Sequence, residues 1–168
     1  NFTEDEMCMV RMRRNDWVRS KNQISRSYIE MFTKANSGIT ILSSYFLPGR
    51  VFRRNMVKAV KRGVKMRVIL AEVSDVHLAK HAERYMYDWL LRNGIEIYEF
   101  RNRIIHGKLS VCDGEWITVG SYNVNNISAY ASIELNLDAY NRKLAACTEQ
   151  MLEQLIENNC RHITEDYH

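Results

Sequence analysis

The chain is short of the features that assign a protein at a glance. No apolar run approaches a bilayer crossing: the best, GITILSSYFL from Gly38 to Leu47, falls well short of the ~20 residues required and includes two serines. Any membrane contact is therefore expected to be peripheral. The four cysteines, Cys8, Cys112, Cys147 and Cys160, lie far apart with no paired spacing. That argues against a zinc site or a disulfide framework and fits a reducing compartment. Proline occurs once, at Pro48, and there is no linker, low-complexity tract or internal repeat, so one domain over residues 1–168 is expected. A signal peptide is also missing, yet the chain opens on Asn1 and stops after HITEDYH, and it reads as an excised piece of something longer.

The length is enough to bury a core without staples. Net charge is +4, and the excess is local: RMRRNDWVRSK near the start, and RVFRRNMVKAVKRGVKMR from Arg50 to Arg67. In the second stretch Arg50, Arg54, Lys58 and Lys61 fall near one helical face, opposite Phe52, Met56, Ala59 and Val60. Such a face is either simply solvated or attracts phosphate-rich partners, lipid or nucleic acid.

Hydrophobic period alternates along the chain. Tyr28, Met31, Phe32 and Ala35 recur at helical spacing, and ITILSSYF reads as a buried strand ended by Pro48. A helix over Val51 to Arg62 stops at Gly63, and VKMRVILAEV is another strand. Asp75 looks like the cap of a third helix, with Leu78, Ala82, Tyr85, Met86 and Trp89 on its apolar stripe and Gly94 closing it. Then come IEIYEF, two strands around an Asp113-Gly114 turn, the alternating strand SIELNLDAY, and a last amphipathic helix with Leu144, Met151, Leu155 and Ile156. This order implies an α/β fold, a mixed sheet flanked by helices. Cys112 is expected to be a small core residue within its strand.

The segment from Ile104 to Ser128, IIHGKLSVCDGEWITVGSYNVNNIS, concentrates chemistry. Two residues apart on a strand, His106 and Lys108 point to one face, while Asp113 has the other parity. The turn sends WITVG back beside them and returns Ser121 and Asn123 toward the same end. An imidazole, an ammonium, a hydroxyl and a carboxamide would thus meet in one pocket. Lysine and asparagine can stabilise charge on phosphoryl oxygens, and histidine can attack phosphorus or protonate a leaving alkoxide. Carboxylates clustered for magnesium are absent from this segment. His77 and His81 stand one helical turn apart with Glu83 nearby, but a third ligand at sensible spacing is missing, so neither metal nor cofactor is expected.

The arrangement H-x-K-x4-D-x6-G-S-x-N, on His106, Lys108, Asp113, Gly120, Ser121 and Asn123, resembles the signature of the phospholipase D superfamily at every specified position. SSYFLPG, AVKRGVKMRVIL, WLLRNGIEIYEF and SIELNL look like the second half of the bacterial cardiolipin synthases, which carry two such motifs per chain. The resemblance implies a phospholipase D-like half-domain, the C-terminal half of a longer two-motif chain. In that family the two motifs meet at a pseudo-twofold axis, one histidine forming a phosphohistidine and the other acting as acid. Here it implies that His106 is the general acid, that Lys108 and Asn123 hold the phosphate with Ser121 at its edge, and that Glu134 hydrogen-bonds and orients the histidine. Asp113, off the phosphate-facing parity, takes a bracing role in the motif. Tyr45, Phe46 and Pro48 either line the substrate channel or form a buried strand end.

The family pattern G-S-x-N-x-D-x-R-S followed by N-x-E is broken at Asn125, Ile127 and Ser132, which puts the acceptor or headgroup contacts in doubt but not the chemistry. The function implied is phosphatidyl transfer between anionic phospholipids, phosphatidylglycerol in particular, at the cytoplasmic face of a bacterial membrane. The alternative is a homodimeric single-motif phosphodiesterase or endonuclease acting on nucleic acid; a third reading is a non-catalytic module that binds anionic lipid or nucleic acid. The segment from Met9 to Ile41 resembles the join between two halves and favours the first.

Overall fold

In the computed structural model, which describes residues 7–73, 77–101, 103–125, 128 and 131–164, the chain opens with strands β1 (Met9–Asp16) and β2 (Lys21–Asn22) and helix α1 (Gln23–Lys34). There follow β3 (Gly38–Ser43), α2 (Arg50–Lys61), β4 (Lys65–Ala71), α3 (His77–Tyr85), α4 (Tyr87–Arg92) and β5 (Glu96–Phe100). The rest is β6 (Lys108–Cys112), β7 (Trp116–Gly120), β8 (Ile133–Tyr140), α5 (Arg142–Asn159) and β9 (Cys160–Ile163). Among the described residues the strands form one sheet in the order β2-β1-β8-β7-β6-β3-β4-β5-β9. β3, β4 and β5 run parallel through helical crossovers, and the other pairings are antiparallel. The mixed α/β sheet flanked by helices is thus what the alternating periods implied.

One face of the sheet packs under α1, α2 and α4, where Tyr28, Phe32, Phe52 and Met56 meet Ile39, Ile41, Met66 and Val68. The other receives α5 through Leu42, Ile69, Val111 and Ile117 against Ala145 and Leu152. Helix α5 covers only part of that face. Val10, Met12, Val119, Ile133, Leu135 and Leu137 stay exposed on β1, β7 and β8, between 41% and 68%. Strand β8 is therefore inverted: its alternate residues Asn136 and Asp138 are buried under α1, and its leucines face out.

Four expectations change. β1 hides its strand character because arginines occupy both faces; Arg13 donates to buried Asp138 at 3.0 Å, and the Arg11 guanidinium lies 5.6 Å from the Tyr140 ring centre. β9 is too short and charged to show a period. The third helix is two, joined at Met86, and its inward positions are Lys80, Glu83, Tyr87 and Leu90 rather than Ala82 and Tyr85, which are exposed. A buried ion pair on the inward side reverses the polarity the stripe assumes; Asp75 and the Leu78 side chain lie outside the described residues. On α5 the buried residues are Ala145 and Leu152, with Leu155 and Ile156 partly covered, while Leu144 and Met151 are 44% and 50% exposed.

Candidate active site

The connection between paired Cys112 and Trp116 turns on Asp113 and Gly114, whose φ of 52° and 64° are the positive pair of a type I′ turn. It sets β7 antiparallel to β6 and carries the chain back to Gly120, which lies flat against β8. A Cβ at Gly120 would collide with the Leu135 carbonyl oxygen and the Asn136 side chain. Only glycine lets β7 end there and hand Ser121 to the rim of the sheet.

Lys108 opens β6 opposite Ser43, the last residue of β3. His106 does not share that strand. It sits in the preceding loop, exposed, so strand parity does not explain why the two side chains meet. They do meet: His106 Nε2 is 2.8 Å from Lys108 Nζ. A charged ammonium only donates, so the imidazole accepts through Nε2 and keeps its proton on Nδ1. The loop is held by the Ser44 hydroxyl, which donates to the Gly107 carbonyl at 3.3 Å. Burial lowers the Lys108 ammonium from its ordinary range, and the negative charge of Glu134 works the other way.

Glu134, on the inward side of β8, accepts from the Ser121 hydroxyl and, through its other oxygen, from Ser132 Oγ at 2.8 Å. The expected hydrogen bond to His106 is not among its contacts with the described residues. Glu134 reaches the histidine only through the charge it presents to Lys108. The Leu135 backbone N–H donates to Ser121 Oγ at 3.0 Å, fixing the hydroxyl between strands. Asn123 uses Oδ1 to accept the Tyr45 N–H at 3.3 Å, which leaves its NH2 without a protein acceptor among the described residues. Ser43 Oγ donates to the Tyr45 carbonyl at 2.8 Å and lies 3.4 Å from the Val124 nitrogen, so the end of β3, the Tyr45 turn and the Asn123 loop form one unit.

Asp113 stands apart at the other end of β6, about 17 Å along the strand from Lys108. Its carboxylate accepts the backbone N–H groups of Asn36, Ser37 and Gly38 and the Ser37 hydroxyl, at 2.8 to 3.0 Å. Burial would push this carboxyl up, but those donors hold it below its usual value. It braces the α1–β3 connection against the hairpin and does not join the other five residues. Cys112 beside it is buried, its thiol pushed up to about 12 by burial.

Sequence reasoning missed a second polar group under the rim. Lys80 Nζ donates to Glu83 at 2.8 Å, to Tyr87 OH at 2.8 Å and to the Ala71 carbonyl at 2.6 Å, and lies 3.1 Å from Glu99. Glu83 in turn accepts the Phe46 N–H at 2.9 Å. An i, i+3 Lys–Glu pair normally reads as surface decoration, and nothing in the sequence marks this one as buried. The His77–His81 spacing, from which no metal is expected, is not tested, since the His77 side chain lies outside the described residues. Of the three departures from the family pattern, Asn125 accepts the Ser128 N–H at 2.7 Å, Ser132 supports Glu134, and Ile127 lies outside the described residues.

Solved structures share this architecture. A phospholipase D family member, Nuc, from Salmonella typhimurium superposes with a TM-score of 0.76 at 21% identity, over 95% of this chain and all of that one. A phosphatidylserine synthase of Haemophilus influenzae gives 0.74 at 13% identity, over 96% of this chain and 41% of that one. The fold is that of the phospholipase D superfamily. The chain belongs, more narrowly, to the family described as cardiolipin synthase, PLD-like domain, which matches residues 28–156. Cardiolipin synthase B of Salmonella typhi is 33% identical over 145 residues, 86% of this chain and 35% of that protein. A probable cardiolipin synthase of Bacillus subtilis is 32% identical over 117 residues, 70% of this chain and 23% of that protein. The chain thus spans about a third or less of these curated relatives.

Proposed function

We propose that this chain is one catalytic half of a phosphatidyltransferase that joins two anionic phospholipids through a phosphohistidine intermediate. The observation that carries the reading is the contact of Lys108 with Nε2 of His106, within the field of Glu134, while Asn123 keeps its NH2 without a protein acceptor among the described residues. A phosphodiester entering there takes the ammonium and amide protons onto its non-bridging oxygens, where negative charge builds in the transition state. A histidine of the second motif attacks phosphorus, the bond to the departing alkoxide breaks, and His106 in its protonated form supplies the alkoxide's proton. His106 then removes the proton of an acceptor alcohol, whose oxygen displaces the phosphorus–nitrogen bond.

A second half is called for because this one offers a single histidine at the rim among the described residues. The bare apolar face of β8 and β7 supports the same conclusion. Ile133, Leu135, Leu137 and Val119 are exposed where an inward-facing set would ordinarily be covered. A second motif in the same chain, C-terminal to which this half would stand, is the first reading. A symmetric pair of identical chains acting as a phosphodiesterase is the second, favoured by the match to Nuc over that protein's whole length. Among the described residues no helix is long and apolar enough to cross a membrane, and the proposal places the catalytic half peripherally at the cytoplasmic face of a bacterial membrane.

The test is made on the full-length protein with phosphatidylglycerol labelled on phosphorus. Rapid quenching in alkaline denaturant, in which a phosphorus–nitrogen bond survives, should trap label on a histidine of the second motif, and chromatography should show cardiolipin and glycerol as products. Lys108→Ala should lose about 10²- to 10³-fold in turnover and His106→Ala more. Normal rates in either variant, with folding intact, would overturn the assignment. Hydrolysis without transfer, by a dimer of chains of this length, would establish the second reading.

A further inference from the structure

Helix α2 carries five cations and no acid over twelve residues. Arg50, Arg53, Arg54, Lys58 and Lys61, with Val57 and Trp89 of α4, line a shallow groove of about 440 Å³. None of the five has a carboxylate within 4.0 Å among the described residues, whereas Arg13, Arg67 and Lys80 are each paired with one. Like charges along a helix repel and cost stability, so a row left without counter-ions points to a partner that supplies them. Arg53 strengthens the case: its guanidinium lies 5.6 Å from the Trp89 ring centre, and its buried Nε has no hydrogen-bond partner among the described residues. The opposite side of the helix is anchored by Phe52, Met56 and Ala59, so the cations are held on a fixed surface.

We infer that the basic face of α2 docks on the surface of an anionic lipid bilayer. Twelve residues make a line about 18 Å long, which suits a plane of distributed charge. Val51, 53% exposed, and half-buried Val57 lie between the cations, as apolar stems do at the headgroup boundary. Nucleic acid fits less well: the aromatic ring of the groove already faces Arg53 and offers no stacking platform. Placement points the same way. Helix α2 starts just after the Tyr45–Gly49 turn, at the end of the sheet where Ser43 faces Lys108. That end also bears the tip between β1 and β2, where Trp17 and Val18 are 60% and 65% exposed. The inference rests on the phospholipid reading of the site only for the direction in which the surface presents it.

The experiment compares co-sedimentation of the protein with vesicles of phosphatidylglycerol in phosphatidylcholine and with pure phosphatidylcholine vesicles. Binding should require the anionic lipid and weaken steeply with salt. The variant Arg50→Gln, Arg54→Gln, Lys58→Gln, Lys61→Gln should lose about fivefold in partition per charge, some two decades or more in all. Lys143→Gln on α5 should bind as the parent does. Undiminished binding by the fourfold variant, with native circular dichroism, would overturn the proposal. So would a duplex DNA that binds this face tighter than the vesicles at equal phosphate concentration. Turnover of a soluble phosphodiester, measured in parallel, separates the two readings. It should be unchanged in the fourfold variant and lost in Lys108→Ala, which should still bind vesicles.

Discussion

Glu83 accepts the backbone N–H of Phe46 at 2.9 Å, so a carboxylate of α3 holds the turn whose neighbouring residue, Tyr45, is tied to Asn123. The same carboxylate faces Lys80, which is itself bonded to Tyr87 and close to Glu99. Removing Glu83 leaves buried Lys80 with Glu99 but one carboxylate short, and the Phe46 amide unpaired. Glu83→Ala should cost about 3 to 5 kcal/mol in denaturant unfolding and abolish hydrogen-exchange protection at Phe46. Glu83→Gln, which retains an acceptor, should restore the protection in part.

The carboxyl of Asp113 titrates below its usual value because four donors converge on it against the cost of burial. A depressed carboxyl contributes stability that is present above the unfolded value near 3.8 and lost as pH falls through the folded one. Asp113→Asn should therefore lower the melting temperature at neutral pH, by the equivalent of about 2 kcal/mol, and flatten the acid limb of the stability curve. Turnover at neutral pH should change little, since the residue lies at the far end of β6.

Burial lowers Lys108, and Glu134 opposes that shift. Lysine is charged below its pKa, so turnover should fall on the alkaline side as Lys108 loses its proton. Glu134→Gln removes the opposing charge and should move that alkaline limb to lower pH, in addition to any loss of rate. A limb that stays in place in pH–rate profiles would detach Glu134 from the lysine.

At Gly120 any side chain meets the backbone of β8, with Asn136 Cα only 2.7 Å from the added carbon. Gly120→Ala should cost more than about 3 kcal/mol or prevent folding. Gly114→Ala, where the added carbon finds nothing nearer than Glu149 at 3.7 Å, should cost about 1 kcal/mol through its positive φ alone. Thermal melts of the two variants check the order.

Leu135→Glu with Leu137→Glu places charges on the uncovered face of β8. The double variant should fold with stability within about 1 kcal/mol of the parent. It should fail to engage a second motif-bearing half, seen as loss of turnover and, for paired identical chains, as a monomer in sedimentation velocity.

Much of this was legible beforehand. Period changes placed β3, α2, β4, β5, β6, β7 and β8, because each carries its apolar residues at the spacing its geometry demands. Motif spacing and the alternation of β8 single out side chains that the fold brings together: His106, Lys108, Ser121 and Glu134 form a connected group, with Asn123 linked to Tyr45. What stayed hidden has one cause: side chains whose polarity contradicts their burial. Arginines on both faces mask β1, a buried Lys80–Glu83 pair turns the expected stripe of α3 around, and the burial of Asn136 and Asp138 sends the leucines of β8 outward. The placement of His106 in a loop rather than on β6 is of another kind, since strand ends depend on pairing with β3 and β7 that a local pattern does not contain.

β1 and β9 lie toward opposite borders of the sheet. β1 lies along β8, with Met9 beside Tyr140, and β9 closes on β5. During synthesis β1 leaves the ribosome well before its neighbour β8, by on the order of ten seconds at ordinary elongation speed. For that interval the edge of β1 that will pair with β8 stays open, which makes this segment a natural client for a holding chaperone and leaves the β1–β8 pairing to a late step in assembling the sheet.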